Sequence, residues 1–222
     1  MDSCRYKELC LQVTLMLFQN RLDAAQRMLP LLEKYRGKAA VILAIPRGGV
    51  PIAAYLAEAL NLPFDVLWVK KIGHPLNSEV AIGAVSLEGH TVDMDYNVDP
   101  RYITREITRI HELLLARRKE LTGDVQAQKI TNKTVIIVDD GVATGKTLVA
   151  AIKMLNRQAP AKLVVAVPVA AGSGKREIEG LVDEFISAEQ PRDFMGVGMY
   201  YRDFSQVSDE EVKELLKKRQ TS

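Results

Sequence analysis

Two adjacent acidic residues, Asp139 and Asp140, stand between four apolar residues and a loop of small residues. The apolar run 135–138 has the composition of a buried strand, and the residues after the loop have the pattern of a helix. Carboxylates accept hydrogen bonds from hydroxyl groups and order water around Mg²⁺. Small residues at the head of a helix offer backbone N–H groups to an anion. The segment therefore predicts a site that recognises hydroxyl groups and an anion side by side.

The loop after the acids has the composition of a phosphate site. Thr144 and Thr147 can donate hydroxyl hydrogen bonds, and Gly145 lets the backbone approach a ligand closely. In a parallel sheet, ligands lie beyond the carboxyl ends of the strands, where this loop falls. The residues expected to bind the phosphate are Ala143, Thr144, Gly145, Lys146 and Thr147, and Gly141 and Val142 are expected to contact the same ligand.

The two acids require a reason to stand beside a phosphate, because carboxylate and phosphate repel one another. A vicinal diol supplies it, since each carboxylate can accept a hydroxyl hydrogen bond. Ribose 5-phosphate carries a diol and a phosphate at a suitable separation. We therefore expect Asp139 and Asp140 to bind the diol and to hold Mg²⁺ indirectly, through water.

Two other interpretations of this segment are open. The acids could merely cap the helix that follows, although a cap explains neither the pair nor the threonines. The segment also ends like a nucleotide-binding P-loop, in Gly145-Lys146-Thr147. That signature requires a glycine separated from Gly145 by four positions, and this chain has Asp140 there.

The surrounding chain alternates strands and helices. This alternation predicts an α/β fold, with a mainly parallel twisted sheet covered by helices on both faces. Strands are expected at 39–45, 64–69, 135–138, 163–169 and 184–187. Helices are expected at 21–35, 101–121, 148–156, 175–181 and 209–218, and a further alanine-rich helix is expected to follow the turn 46–49 and end at Leu60. A long loop broken by one strand at 81–87 is expected at 70–100, and an aromatic, turn-rich tail at 190–204.

A length of 222 residues suits one domain. We divide it into an N-terminal helical extension at 1–37, a core at 38–189, and a C-terminal region at 190–222. The 30 basic and 28 acidic residues leave a net charge of +2, which lacks the basic excess of a nucleic-acid binder.

Neither cysteines nor apolar stretches indicate a secreted or membrane protein. Cys4 and Cys10 have neither a zinc-site spacing nor a disulfide framework, so ordinary thiols are expected. The apolar stretch 9–18 is too short to cross a bilayer and lacks the features of a signal peptide. We expect a cytoplasmic protein without a membrane partner.

The string VIIVDDGVATGKT resembles the phosphoribosyl-pyrophosphate motif of type I phosphoribosyltransferases, and the order of elements across 39–187 is similar to that family's core. The resemblance implies an enzyme of nucleotide salvage with a flexible lid loop and a small C-terminal hood. Such an enzyme uses Mg²⁺ to transfer ribose 5-phosphate from phosphoribosyl pyrophosphate to a nitrogen heterocycle such as a nucleobase. Homodimers are common in the family, so a homodimer is implied too. The alternative is a regulatory protein that binds phosphoribosyl pyrophosphate without transferring it.

The resemblance also implies a pyrophosphate site. Arg47, Gly48 and Gly49 follow the first core strand and look like the family's pyrophosphate loop, although the same residues fit a plain turn. Lys70 and Lys71 look like the basic residues at the next strand end, although they also fit a solvated pair. The residues implied to act in catalysis are Asp139, Asp140, Arg47 and Lys71.

Lid and hood are implied by position. Residues 71–85 fall where the family has its lid, and His74 is the most reactive side chain there. The tail falls where the hood covers the acceptor, so Phe194 is expected to bind it. Tyr200 and Tyr201 could stack on the acceptor or could belong to the core. Ala143 departs from the 6-oxopurine enzymes, which carry an aspartate there, and this puts hypoxanthine or guanine as acceptor in doubt.

Overall fold

The computed structural model describes residues 17–92, 96–123 and 127–218, which form two sheets flanked by helices. The strands are β1 (Ala40–Ala44), β2 (Phe64–Val66), β3 (Val69–His74), β4 (Asn77–Ser86), β5 (Gly89–Val92), β6 (Thr134–Val138), β7 (Lys162–Val169) and β8 (Glu184–Glu189). The helices are α1 (Arg21–Leu32), α2 (Gly49–Leu60), α3 (Pro100–Thr122), α4 (Lys146–Asn156), α5 (Gly172–Glu179) and α6 (Asp209–Lys218).

Five strands form a parallel sheet in the order β2-β1-β6-β7-β8. Its central strands are continuously apolar because both faces of the sheet are covered. Alternate residues of β1 therefore enter different buried clusters: Ile42 and Ala44 join one, while Val41 and Leu43 join the other. The predicted α/β architecture is confirmed.

The central strands end at one edge of this sheet. In the register of β1 and β6, Ala44 lies opposite Val138, the last residue of β6. Val138 in turn lies opposite Ala166 of β7, which continues to Val169. The loops that follow these strands therefore emerge together at the carboxyl edge, where parallel sheets bind ligands.

The segment interpreted as a long loop instead forms an antiparallel sheet in the order β3-β4-β5. The expectation of a single strand at 81–87 was wrong, because glycine here permits close strand packing rather than marking only turns. A Cβ on Gly83 would lie 2.3 Å from the carbonyl oxygen of Thr91 in the neighbouring strand. Ile72 and Ile82 are buried in the main core, so apolar contacts bind the small sheet to the rest of the domain.

The residues before α1 and the residues between β8 and α6 meet beside β7 of the parallel sheet. Phe18 forms a parallel bridge with Tyr201. The Phe18 N–H donates to the Tyr200 carbonyl at 2.9 Å, and the Phe18 carbonyl accepts from the Arg202 N–H at 2.8 Å. Residues that precede the core and residues that follow it therefore pack together in one buried cluster.

The predicted helices are present with modest changes at their ends. The helix expected at 175–181 occupies Gly172–Glu179, and the first helix gives way to a 3₁₀ turn at Glu33–Tyr35. Within the ranges that the structure describes, no helix combines the length and apolar character needed to cross a membrane. Cys4 and Cys10 lie outside those ranges.

Candidate active site

The loop between β6 and α4 begins with the two acids and ends at the head of the helix. Gly145 turns the chain into α4 with a φ of +74°, a left-handed conformation that favours glycine. The first N–H groups of a helix have no partner within it, and the helix dipole adds partial positive charge. Thr144, Lys146 and Thr147 are exposed around this end, which suits an anion.

The chain that follows β7 holds the loop from one side. The Val142 N–H donates to the Val169 carbonyl at 2.9 Å, and the Val142 carbonyl accepts from the Ala171 N–H at 2.8 Å. Gly174, in the first turn of α5, lies so close that an added Cβ would be 2.4 Å from the Ala143 carbonyl oxygen. The position of the loop therefore depends on close packing against α5.

The turn after β1 lies directly against the acids. A Cβ on Gly48 would lie 1.9 Å from Oδ2 of Asp140, and a Cβ on Gly49 would lie 2.5 Å from the Val138 carbonyl oxygen. Only glycine permits so close an approach of the two loops. The structure thus brings together Arg47-Gly48-Gly49 and the acid pair, two segments that the sequence predicted to share a site.

The two acids have different partners. The Asp139 carboxylate accepts the Asp140 N–H at 2.8 Å. Burial, and then the charge of Asp140, raises the pKa of Asp139 well above its usual range. Burial also raises the pKa of Asp140, although the hydrogen bond and charge of Arg21 act in the opposite direction. Two neighbouring carboxylates in this setting are stabilised by cations and by hydroxyl donors.

Arg21, the first residue of α1, is the site residue that the sequence prediction missed. Its Nε and Nη2 donate to Oδ2 of Asp140 at 3.0 and 2.8 Å. Its Nη1 donates to the Ser205 carbonyl at 2.8 Å, and its guanidinium carbon lies 4.2 Å from the centre of the Phe204 ring. No pattern near Asp140 could have indicated this partner, because 119 positions separate the two residues.

Arg47 extends from the turn after β1 towards α6. The peptide bond between Pro46 and Arg47 is cis. Arg47 Nη1 lies 3.5 Å from Oδ1 of Asp209, at the outer limit of a hydrogen bond. Arg117 makes shorter contacts with the same carboxylate, at 2.8 and 2.9 Å, and these lower the pKa of Asp209. Asp209 is therefore paired mainly with Arg117, and Arg47 is held loosely.

Lys70 and Lys71 lie inside β3 rather than at the end of a strand, so that part of the prediction was wrong. Lys70 is opposite Val85 and Lys71 is opposite Ala84 in β4. Successive side chains of a strand point to opposite faces, so the two lysines cannot act as one pair. A role for either lysine at a pyrophosphate stays a prediction, as does a role for His74 at the end of the same strand.

The aromatic side chains of the C-terminal region divide into two groups. Tyr200 and Tyr201 are 1% and 2% exposed, which decides for the core interpretation over stacking on a ligand. The Tyr201 hydroxyl donates to the backbone carbonyl of Asp140 at 2.6 Å. Phe194 is half-buried, with its ring centre 5.4 Å from that of Tyr200, and its role at the acceptor stays a prediction.

A groove of about 920 Å³ opens beside the loop 141–147, which we term the phosphate-type loop. Helix α4 forms one wall, with Lys146 and Lys153, and the small sheet forms the other, with Ala81 and Thr91. Thr144, from the loop that follows the acids, also lines the groove. The volume falls in the range of small-molecule sites.

Comparison with known proteins places the chain in a family. A family model described as the phosphoribosyl transferase domain matches residues 19–202. Two curated proteins of Mycobacterium tuberculosis, from strains CDC 1551 and H37Rv, are named as phosphoribosyl transferases and are 36% identical over 205 residues. The alignment covers 90% of this chain but 46% of each relative, so the chain spans about half their length.

Solved structures share the fold. Protein TT1426 from Thermus thermophilus has a TM-score of 0.83 and 33% identity, covering 91% of this chain and 99% of its own. The purine phosphoribosyltransferase from Pyrococcus horikoshii Ot3 has a TM-score of 0.50 and 17% identity, covering 87% and 98%, and shares the fold alone. With the family match extending over most of its length, the chain belongs to the phosphoribosyl transferase family.

Proposed function

We propose that the protein transfers the ribose 5-phosphate group of phosphoribosyl pyrophosphate to a nitrogen acceptor and releases pyrophosphate. The observation that carries this proposal is the contact between two loops, in which Gly48 lies against the Asp140 carboxylate beside the head of α4. The junction combines a helix end for an anion, a pair of diol acceptors and a second glycine turn that carries Arg47. Phosphoribosyl pyrophosphate carries a phosphate, a diol and a pyrophosphate in one molecule.

The groups of this substrate then have defined partners. The 5-phosphate binds the loop that ends at Thr147, with Thr144 and Thr147 as hydroxyl donors. The ribose hydroxyls bind Asp139 and Asp140. The pyrophosphate binds the turn of Gly48 and Gly49, with Arg47 as its cation.

The acid pair fits Mg²⁺ held through water. Among the residues that the structure describes, no group of three or more His, Cys, Asp or Glu side chains is arranged to hold a metal. Mg²⁺ commonly binds through one or two carboxylates together with waters and the phosphates of a substrate, which matches Asp139 and Asp140 beside an anion loop. When bound, Mg²⁺ neutralises charge on the departing pyrophosphate.

In the reaction, the bond between C1 of ribose and the pyrophosphate oxygen breaks, and a bond between C1 and the acceptor nitrogen forms. Negative charge collects on the leaving oxygen, where a fixed cation lowers the barrier. Arg47 can supply this cation, because its contact with Asp209 is long and Arg117 satisfies the same carboxylate. The acceptor nitrogen's proton is not taken by position 143, because alanine has no basic group.

The acceptor is proposed to be a flat nitrogen heterocycle, such as a nucleobase. The half-buried Phe194 supports this, because an aromatic ring that is not fully buried can stack on a planar ligand. Ala143 argues against the 6-oxopurines, whose enzymes the sequence resembles less at that position.

Calorimetric titration with phosphoribosyl pyrophosphate and Mg²⁺ tests the proposal. The wild type is expected to bind, and the Asp139→Asn/Asp140→Asn variant to bind at least about 100-fold more weakly, because charge-assisted hydrogen bonds to the diol are lost. Glu210→Gln/Glu211→Gln, which removes two exposed adjacent charges from α6, is the matched control and is expected to bind like the wild type.

The bound complex is then offered a panel of nitrogen heterocycles while pyrophosphate release is measured. Release driven by one heterocycle supports transfer and identifies the acceptor. Binding without release on any of them favours a regulatory protein that binds phosphoribosyl pyrophosphate. A wild type that does not bind the ligand at all contradicts the proposal.

A further inference from the structure

Each of the three guanidinium nitrogens of Arg21 donates a hydrogen bond within the protein. Two of its nitrogens donate to a single oxygen, Oδ2 of Asp140, at 3.0 and 2.8 Å. The third donates to the Ser205 carbonyl at 2.8 Å, and the guanidinium carbon lies 4.2 Å from the Phe204 ring centre. The side chain is 12% exposed. Such a guanidinium cannot easily turn to a substrate, so its effect reaches the substrate through Asp140.

Residues from three separate segments contact Asp140 and restrict its carboxylate. Arg21 approaches Oδ2 from one side, and Gly48 approaches the same oxygen so closely that a Cβ would lie 1.9 Å away. The Tyr201 hydroxyl fixes the backbone carbonyl of the same residue at 2.6 Å. Both Arg21 hydrogen bonds go to Oδ2, and the Gly48 Cβ position is closer to Oδ2, at 1.9 Å, than to Oδ1, at 3.0 Å. We therefore assign Oδ1 as the oxygen that meets a ligand.

The charge of Arg21 also offsets an unfavourable neighbour. Asp139 stands next to Asp140 in sequence, and its carboxylate accepts the Asp140 N–H at 2.8 Å. Two acids so close repel each other, and a partly buried cation relieves that repulsion most effectively when it is hydrogen-bonded to one of them. Arg21 meets both conditions.

We propose that Arg21 is a positioning residue for ribose recognition, which fixes the Asp140 carboxylate through Oδ2 so that Oδ1 faces a ribose hydroxyl. This inference rests on the proposed function, since it assigns Asp140 to the diol. The positioning role of Arg21 would make the N-terminal extension, 1–37, contribute to the ribose site. Arg21 itself does not touch the substrate.

Two phosphates that differ only in the diol provide the test. 1-Deoxyribose 5-phosphate carries both hydroxyls, and the matching stereoisomer of tetrahydrofurfuryl phosphate carries neither. The ratio of their Kd values isolates recognition of the diol from binding of the phosphate. The wild type is expected to prefer the diol by about tenfold or more, the effect of hydrogen bonds to a charged group.

In Arg21→Gln, the preference for the diol is expected to fall about tenfold, while affinity for tetrahydrofurfuryl phosphate changes less than about threefold. Arg27→Gln is the control, because Arg27 lies on the same helix and its ion pair is with Asp23, outside the site. In the Asp140→Asn background, Arg21→Gln is expected to leave the preference unchanged, since the two residues act as one unit. Arg21→Lys, which keeps the charge but not the fork, is expected to fall between wild type and Arg21→Gln and carries the same test if the glutamine variant does not fold.

Each contrary result has one meaning. An unchanged preference in Arg21→Gln, or an equal weakening of both ligands, overturns the positioning role and leaves the proposed function standing. A wild type that binds both ligands equally overturns the assignment of Asp140 to the diol, and with it this inference. A wild type that binds neither ligand nor phosphoribosyl pyrophosphate overturns the proposed function itself.

Discussion

The two halves of the site are built in different ways. The phosphate-type loop is a continuous stretch, 141–147, whose donors belong largely to the backbone at the head of α4. The carboxylate of Asp140 is held by Gly48, by Arg21, which is 119 positions away, and by Tyr201, which is 61 positions away. One half is local in the chain, and the other is assembled from its distant parts.

The chemistry of each half explains the difference. Backbone N–H groups at a helix end are oriented by the helix itself, so the donors for an anion come from one short segment, which α5 supports from outside. A carboxylate rotates about its side-chain bonds and repels its acidic neighbour, so its orientation must come from other elements. The difference teaches that the groups of the proposed phosphate site lie close together in sequence, whereas the orientation of the Asp140 carboxylate depends on residues far apart in the chain.

The largest effect is expected from a variant that displaces the Asp140 carboxylate. In Gly48→Ala, the new Cβ would stand 1.9 Å from Oδ2 of Asp140 and displace the carboxylate. Overpacking of this kind corresponds to a loss of about 100-fold in affinity for phosphoribosyl pyrophosphate, measured by calorimetry. Gly180→Ala is the control, because nothing lies within 4 Å of its added Cβ. Wild-type affinity in Gly48→Ala would show that the two loops are not in contact.

A second variant tests whether the phosphate-type loop depends on its contact with α5. In Gly174→Ala, the added Cβ would lie 2.4 Å from the Ala143 carbonyl oxygen and push the loop outward. Affinity for inorganic phosphate is expected to fall about tenfold. Gly172→Ala, in the same turn, meets its nearest atom at 3.5 Å, the flexible end of Arg176, and should bind normally. Equal binding by both variants would mean that the loop needs no support from α5.

Tyr201→Phe sharpens the comparison with a smaller change. It removes one hydroxyl donor and leaves the Asp140 carbonyl without that hydrogen bond. The expected cost is about 1 kcal/mol, seen as roughly fivefold weaker binding of phosphoribosyl pyrophosphate. Tyr200→Phe is the matched control, since its hydroxyl donates to the Asp193 carbonyl at 3.2 Å instead. A larger loss in Tyr200→Phe would reverse the assignment.

The smallest effect on the site is expected from Glu184→Gln, which should change stability alone. Burial acts to raise the pKa of Glu184, but hydrogen bonds from Lys162, Lys34 and Tyr35 outweigh it and lower the pKa to about 2. A lowered carboxyl pKa contributes stability that is complete above its ordinary value of 4.5 and disappears as the pH falls through about 2.

Urea unfolding across this pH range measures the effect. The wild type should exceed Glu184→Gln by about 1–2 kcal/mol near neutral pH, and the gap should close between pH 4.5 and 2. The exposed Glu58→Gln serves as control and should follow the wild type at every pH. A gap that persists to pH 2 would contradict the lowered pKa.

Much of the fold could be predicted because its signals are local. The apolar composition of β1 and β6 predicts buried strands, and the glycine at position 145 predicts a turn before a helix. The small sheet could not be predicted, since Gly83 permits strand packing in a stretch whose composition also suits a loop.

The site divides in the same way. The acids were predicted from their position after a strand, and the turn of Gly48 and Gly49 from the family resemblance. The parallel register of β1 and β6 brings the two segments into contact. Arg21 could not be found, because a single arginine at the start of a helix carries no sign of a partner 119 positions away. Tyr200 and Tyr201 were ambiguous, because burial of an aromatic residue depends on what packs over it.

The bridge between Phe18 and Tyr201 has a consequence for the order of folding. Arg21 and Ser205, joined by one hydrogen bond, are 184 positions apart, so this part of the molecule closes a very long stretch of chain. Contacts between residues far apart in sequence form slowly, whereas a strand, loop and helix in succession form early. During synthesis or refolding, the proposed phosphate site should therefore form first. The proposed diol site should form last, when Arg21 and Ser205 come together.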